Sequence, residues 1–445
     1  MYDTVYTERS QRPAAVLVNE GFTFDAASAA SGKGMPGIRV VTETVPCECT
    51  VPERIASGVH GAIDELVAAL TLPVTPEEQS PPPKEVDSAR GVVFKGDLPE
   101  VQQFFYRRGW TDGLPIIPPT EEAVREMLQG TDLPRDHVVG KMIPRLGKVT
   151  VEKIAVNAVM AGALPTYMPL LIAGVEALLD PTSRYGTWQV STGSWSPFWI
   201  VNGPIREQLH VNGGTGALSP GNIANAAIGR AMGLIAKNLG GARKALEDMG
   251  VLGNPGKYSM VTAENEEAIP EGWDPLHVRQ GFARDENCLT VSCPNSYLQI
   301  WPYGSDATGI MRAIRSNMVP RWKQFTLLVP PGHAQALADG GWTQDRIASY
   351  LYEYGREPAS RTPEYWGSVV GALGSRGVPP LDPDDPVPLL RGTESLRVVV
   401  VGGPGVFMGL AYGAGTWVTK AIQLPEGWDA LVRKYRNFVP NHVRY

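Results

Sequence analysis

The sequence predicts an α/β protein: a small parallel-sheet N-terminal module, then a large mixed-sheet α/β (or α+β) domain. Three observations carry this reading. Residues 13–71 run strand, helix, strand, helix; a proline-rich polar stretch over 72–98 interrupts the pattern; and residues 99–445 scatter apolar strand-like runs among helices in no strict β-α-β order. At about 150 residues per domain, 445 residues allow two or three domains. We expect boundaries at 1–71 (module), 72–98 (linker) and 99–445 (large, catalytic domain).

In the module, AAVLVN at 14–19 is a short apolar strand, 24–31 a helix and IRVVT at 38–42 a second strand. Residues 51–70 follow as one amphipathic helix, with Ile55, Val59, Ile63, Leu66 and Leu70 on its apolar side. A strand-helix-strand crossover implies a parallel pair. So small a sheet looks incomplete and is expected to pair with something else. Within 72–98, Pro81–Pro83 and their polar neighbours read as an extended, semi-stiff connection.

The large domain opens with a helix over 99–109, a proline-rich run, and a helix capped by Thr120 with Glu121 and Glu122 in its first turn. Helices are expected near 150–179 (bent at its prolines), 220–239, 308–318, 343–356 (capped by Thr343) and 426–437. Strands are expected at 198–201, 258–262, 289–292, 325–329 and 398–401.

Composition narrows the function. With 46 acidic against 40 basic residues, net −6, no global basic field favours nucleic acid. The longest apolar region, 154–179, contains Asn157, Pro165, Pro169 and Glu176, and so reads as packed helices rather than a membrane span. The polar start of the chain lacks a signal-peptide pattern, so a cytoplasmic protein is expected. Four cysteines are too few for a disulfide scaffold. Cys47 and Cys49 form a C-x-C pair that could hold a soft metal but lacks further ordered ligands. Cys288 and Cys293 fall on opposite faces of a strand and read as structural. No G-x-S-x-G, H-E-x-x-H, G-x-x-x-x-G-K-[ST] or C-x-x-C motif occurs, which removes the commonest hydrolase, zincin, P-loop and thioredoxin readings.

The richest segment for chemistry is SPGNIANAAIGRAMGLIAKNLGG, residues 219–241. Ser219 suits a helix cap, Pro220 the first helical position, and Gly221 a close backbone approach. Asn222, Asn225 and Arg230 stand where a packing helix would carry aliphatics, so an anion or amide at the helix start is one reading and an N-capped packing helix the other. The glycines of GGPGVFMG after the VVVV strand, Gly403 and Gly405 among them, suit a phosphate or carboxylate loop or a tight buried turn. No second β-α-β half follows, so a dinucleotide fold is not expected there. Glu264 or Glu266 with His277 could form an acid/base pair, Arg279 could hold a substrate carboxylate, and His333 sits just past a strand, where α/β folds place functional groups. A polar loop with surface ion pairs, or a histidine capping the next helix, explains the same residues without a site. His210, near Asn212 and the Gly-rich turn before that helix, could line the same pocket.

Several segments together resemble the UGSC-type (seleno)protein family and its associated large domain: FTFDAASAASGKGMPGIRVV in the module, then FYRRGWTDGLPIIPPT, VEKIAVNAVMAGALPTYMPLL, PGNIANAAIGRAMGLIAKNLGG, PGKYS, ENEE and GGWTQDRIASYL. The family's Cys-Gly-Ser-Cys (or selenocysteine) loop is missing from this chain. The resemblance therefore implies that this chain either has lost such a thiol or receives it from a separate subunit; the half-sized N-terminal sheet fits the second, with that subunit docking on residues 13–71. It gives no reaction and no cofactor. Three expectations follow: an enzyme on a small polar or carboxylate-bearing metabolite sharing thiol or redox chemistry with a partner chain; a structural or regulatory subunit; and a metal-dependent lyase or hydrolase using Cys47/Cys49 or the histidines.

Overall fold

In the computed structural model, which describes residues 2–46, 49, 51–79, 91–318, 324–361, 382–413 and 415–438, the N-terminal module is a two-stranded parallel sheet. Strand β1 (Ala15–Asn19) pairs with β2 (Arg39–Glu43) from Ala15↔Arg39 to Asn19↔Glu43, and the helix Thr23–Gly32 joins them. The helix expected over 51–70 is two, Pro52–Gly61 and Ile63–Thr71, because the chain leaves helical geometry at Ala62 after the poor helix former Gly61. Their apolar residues Ile55, Val59, Ile63, Val67 and Leu70 stay 37–52% exposed. The first part of the connecting stretch folds back on the module: Arg39 pairs with Glu78 (2.9 Å) and donates to the Leu72 carbonyl (2.8 Å). Pro81–Pro83 lie outside the described residues.

The module touches the large domain through Ser28, whose hydroxyl donates to the buried Glu247 (2.6 Å). Burial works to raise the Glu247 pKa, but the Arg243 and Ser28 hydrogen bonds and the Arg243 charge outweigh it and hold the carboxyl below its ordinary value. Asp25, on the helix Thr23–Gly32, is pushed up to about 6 by burial and by the Glu247 charge.

After the hairpin β3 (Val138–Met142) and β4 (Gly147–Thr150) come β5 (Phe198–Asn202), β6 (Val261–Ala263), β7 (Cys288–Ser292), β8 (Pro294–Ile300) and β9 (Gln324–Val329). A small pair, β10 (Arg356–Pro358) and β11 (Pro386–Pro388), precedes β12 (Leu396–Val400), β13 (Met408–Gly413) and β14 (Val418–Ala421). They build two mixed four-stranded sheets, β14-β7-β5-β6 and β12-β9-β13-β8. Within them β5 runs parallel to β6 and β9 parallel to β12; the other pairs are antiparallel.

Period-two alternation stacks these sheets. In the first sheet Trp199, Val201, Leu289 and Val291 face the helices Val151–Ala161, Met168–Leu179 and Ile223–Ile235. In the second, Phe325, Leu327, Val398, Val400 and Leu410 face the helices Ala307–Asn317, Pro331–Asp339 and Gln344–Tyr354. The remaining residues, Phe198 and Ile200 against Leu328, Val399 and Ala411, meet between the sheets. The large domain is therefore four layers, helix–sheet–sheet–helix, and the chain is an α/β protein with a small parallel module. The prolines of 154–179 do split that region into two helices around Pro165, and Thr120 and Thr343 do cap theirs, accepting from Ala123 N–H (3.2 Å) and Arg346 N–H (3.1 Å). The strand expected at 258–262 is shifted to β6, because Asn254 and Pro255 start a 3₁₀ turn through Lys257. None of the described helices is long and apolar enough to cross a membrane.

Candidate functional site

The parallel pairs bring four carboxyl ends together. Glu264 and Asn265 follow β6; the Glu264 carboxylate accepts from Val400 N–H at the end of β12 (3.4 Å), and Asn265 N–H donates to the Val400 carbonyl (2.8 Å). Asn202 ends β5, and its amide donates to Glu264 (2.6 Å) and Glu266 (2.9 Å). The helix Pro331–Asp339, with His333 in its first turn, starts just after β9, beside β12. Carboxyl ends of parallel strands are where open α/β sheets bind ligands, since the loops that follow are free to vary.

Glu264 is fully buried. Burial pushes its pKa up to about 7 in spite of hydrogen bonds from Leu276 N–H (2.7 Å) and Asn202, and the nearby Glu266 charge adds to the rise. Arg206 offsets that acidity at the rim: it donates to Glu267 (2.9 and 3.1 Å), to the Glu264 carbonyl (3.0 Å), and lies 3.1 Å from Glu266. Glu267 is held low, first by the Arg206 hydrogen bond. Asn202 Oδ1 is buried with no partner among the described residues, as are both ring nitrogens of His333. Burial holds the His333 imidazole below its ordinary value, so the neutral ring is favoured at physiological pH.

Two glycine loops border these groups. The loop 212–217 lies against the end of β6, where Gly213 leaves only 2.5 Å between a would-be Cβ and the Ala263 carbonyl. Gly402 N–H donates to the Gly213 carbonyl (2.8 Å), and a Cβ on Gly403 would stand 1.8 Å from Thr215 Oγ1. Only glycine fits at either position.

The expected site residues divide. Glu264, His333 and Gly403 come to the strand ends; Gly405 extends the same loop on its exposed side. Asn225 supports the loop from behind and does not face a ligand. Its Oδ1 accepts from Asn212 N–H (2.8 Å), and its Nδ2 donates to the carbonyls of Asn212 (2.9 Å), Ala217 (3.1 Å) and Val261 (2.9 Å). The cap is Asn222, not Ser219: helix Ile223–Ile235 starts after it, its side chain accepts from Asn225 N–H (3.0 Å), and its Nδ2 donates to the His210 carbonyl (2.9 Å). Ser219, Pro220 and Gly221 form an exposed turn ahead of the helix. Arg230 is taken up by Asp112 (2.8 and 3.0 Å) and the Pro115 carbonyl (2.7 Å), which fastens the GWTDGLP loop to the helix.

The Glu264–His277 acid/base pair is not made. Glu264 bonds to the backbone one residue before His277, while the buried imidazole points its Nε2 at the Arg284 carbonyl (3.2 Å). Arg279 pairs with Asp345 (2.5 Å). Cys47 lies outside the described residues, Cys49 is a half-exposed free thiol, and the described residues contain no group of three metal-ligating side chains. Asn202 and Arg206 were not anticipated. A usable signal for the first was a polar residue followed by glycine at the end of the fully buried run FWIV.

Comparison with protein families, with curated proteins and with solved structures finds no match.

Proposed function

We propose that the four converging strand ends form the active site of an enzyme acting on a small polar or carboxylate-bearing metabolite. The observation that supports this most is Glu264, a fully buried carboxyl group raised to about 7 where the ends of β5, β6 and β12 meet beside two glycine loops, with His333, whose ring nitrogens have no partner among the described residues, in the helix that follows β9. In this reading His333 exchanges a proton with substrate and the glycine loops let its polar atoms approach the backbone. Asn202 and Glu264 set the protonation state of the pocket wall, while Asn225 and Asn222 hold the loop 212–217 in place.

The thiol or redox part of the chemistry is proposed to come from a second, Cys-Gly-Ser-Cys-bearing chain seated on residues 13–71, one of the two alternatives that the family resemblance implies. Burial pushes Cys288 and Cys293 up to about 12, so neither is a thiolate near neutral pH. Among the described residues the module also offers a two-stranded sheet with unpaired edges and an exposed apolar helix face. A structural-subunit reading is favoured by one feature, the complete enclosure of Glu264.

Native mass spectrometry of the chain purified from its own cells tests the partner: a smaller co-purifying Cys-Gly-Ser-Cys protein supports it, and a homo-oligomer active by itself sinks it. A thermal-shift screen of amino acids and dicarboxylates tests the site. A compound that raises the melting temperature of the wild type but not of a folded His333→Ala variant supports the enzyme. No stabilising compound, or equal stabilisation of both proteins, favours the structural subunit.

A further inference from the structure

Two exposed apolar patches flank one edge strand of the second sheet. Strand β8 ends that sheet: β13 pairs with one of its edges, and no described strand pairs with the other. Its first two residues are engaged, since the Pro294 carbonyl accepts from Ser196 N–H (2.9 Å) and the Asn295 carbonyl from Asn254 Nδ2 (3.3 Å). Residues 296–300 form the open stretch. PNSYLQI carries no charge and has its proline at the very start, so the edge lacks the usual guards against pairing.

Just past the strand, Trp301 and Tyr303 are 68% and 65% exposed. Trp301 stands edge-on to the exposed Phe407, with 5.3 Å between ring centroids, and the Tyr297 ring lies against Gly409, where a Cβ would come within 2.9 Å of it. The second patch is beside the start of the strand. Asn254, which holds the Asn295 carbonyl, follows a loop tip whose Val251 and Leu252 are 77% and 95% exposed. That tip is held in place: Val251 N–H donates to the Thr192 carbonyl (3.1 Å) and Gly253 N–H to Ser194 Oγ (3.0 Å). Clusters of exposed apolar side chains of this kind mark interaction surfaces.

The spacing of the two patches points to a second copy of this chain. An antiparallel two-fold pairing of β8 with itself about Leu298 sets Ser296 opposite Ile300 and Tyr297 opposite Gln299, which uses the open stretch alone. The same register sets Trp301 opposite Asn295 of the second copy. Each aromatic cluster then meets the other copy's Val251–Leu252 tip, twice by symmetry, and the half-buried Leu298 meets its counterpart on the helix-side face. At roughly 200 Å² per ring, Tyr297, Trp301, Tyr303 and Phe407 leave about 450 Å² uncovered in each copy. With the tips and the strand edge, two copies reach the range of about 1,200–2,000 Å² found in stable interfaces.

We propose that β8 is a homodimer interface: two copies pair antiparallel about Leu298 into one continuous eight-stranded sheet, and each seats its Val251–Leu252 tip on the other's Trp301–Tyr303–Phe407 cluster. The proposal uses none of the groups at the strand ends and stands apart from the enzyme reading.

The test is sedimentation velocity of the full chain as wild type, Leu252→Asp, Trp301→Lys and the double variant. The wild type is expected to be a dimer. Both positions are exposed, so the variants should fold, which circular dichroism checks. Each single substitution sets an unpaired charge in the interface and should raise the dimer Kd at least tenfold. In the double variant each aspartate faces the other copy's lysine, so the dimer should be regained at least in part. A wild type that stays monomeric at the highest concentration it tolerates overturns the proposal. So does a dimer whose Kd survives both single substitutions, or a double variant no tighter than the single ones.

Discussion

Replacing Glu264 by Gln should change how stability depends on pH. In the folded protein this carboxyl titrates near 7, against 4.5 for an ordinary glutamate. An acid whose pKa is raised by folding binds its proton more tightly in the native state, so its contribution is most favourable below 4.5 and is lost as pH rises towards 7. That interval corresponds to about 3 kcal/mol at 1.36 kcal/mol per unit. Glutamine is isosteric and never ionises. Its carbonyl oxygen can take the two short hydrogen bonds from Asn202 and Leu276, leaving its NH₂ facing the longer Val400 N–H, a mismatch costing about 1 kcal/mol. The variant should therefore be less stable than wild type at pH 4.5 by about 1 kcal/mol and more stable at pH 8 by about 2 kcal/mol. Urea denaturation followed by tryptophan fluorescence between these pH values measures both proteins, and subtracting the curves removes the titrations they share. Parallel curves would mean that Glu264 is ionised throughout, and would refute the reasoning together with its assignment as a group that switches near neutrality.

Other substitutions probe the frame around the site. Asn225→Ala strips the loop 212–217 of its buried support and should cost about 3–5 kcal/mol, with faster amide hydrogen exchange concentrated in that loop. Gly403→Ala drives a methyl into Thr215 and should destabilise by about 1–3 kcal/mol; Thr215→Gly in the same chain should restore part of the loss, a coupling that a double-mutant cycle of melting temperatures reads directly. Cys288 and Cys293 should resist alkylation in the native protein and react only on unfolding, as checked by peptide mass mapping.

Elements with strong local signals were readable in the sequence. Thr120 and Thr343 announce helix starts because a hydroxyl acceptor is needed where backbone N–H groups are otherwise unpaired, and both do cap. The mostly apolar runs FWIV, FTLLV and VVV within β5, β9 and β12 announce strands buried on both faces. Strands β8, β13 and β14 were missed because PNSYLQI, MGLAYG and VTKA carry proline, glycine and polar residues. What makes them strands is their cross-sheet partners, not their own propensity. The same limit moved the helix cap from Ser219 to Asn222, since either residue can cap and only the His210 carbonyl, brought alongside by the fold, favours the second.

The sequence by itself determined the α/β class, the parallel pair of the module, most helix starts, and the position of Glu264, His333 and Gly403 just past strands, because capping, periodicity and strand ends are local. Tertiary structure decided the stacking of two sheets into four layers and the meeting of the ends of β5, β6, β9 and β12. It also assigned Arg230 to Asp112 and Arg279 to Asp345, and turned His277 away from Glu264. A polar side chain's partner and pKa depend on what long-range packing places within about 3 Å of it and on how much water that packing removes, and neither is encoded in its neighbours along the chain.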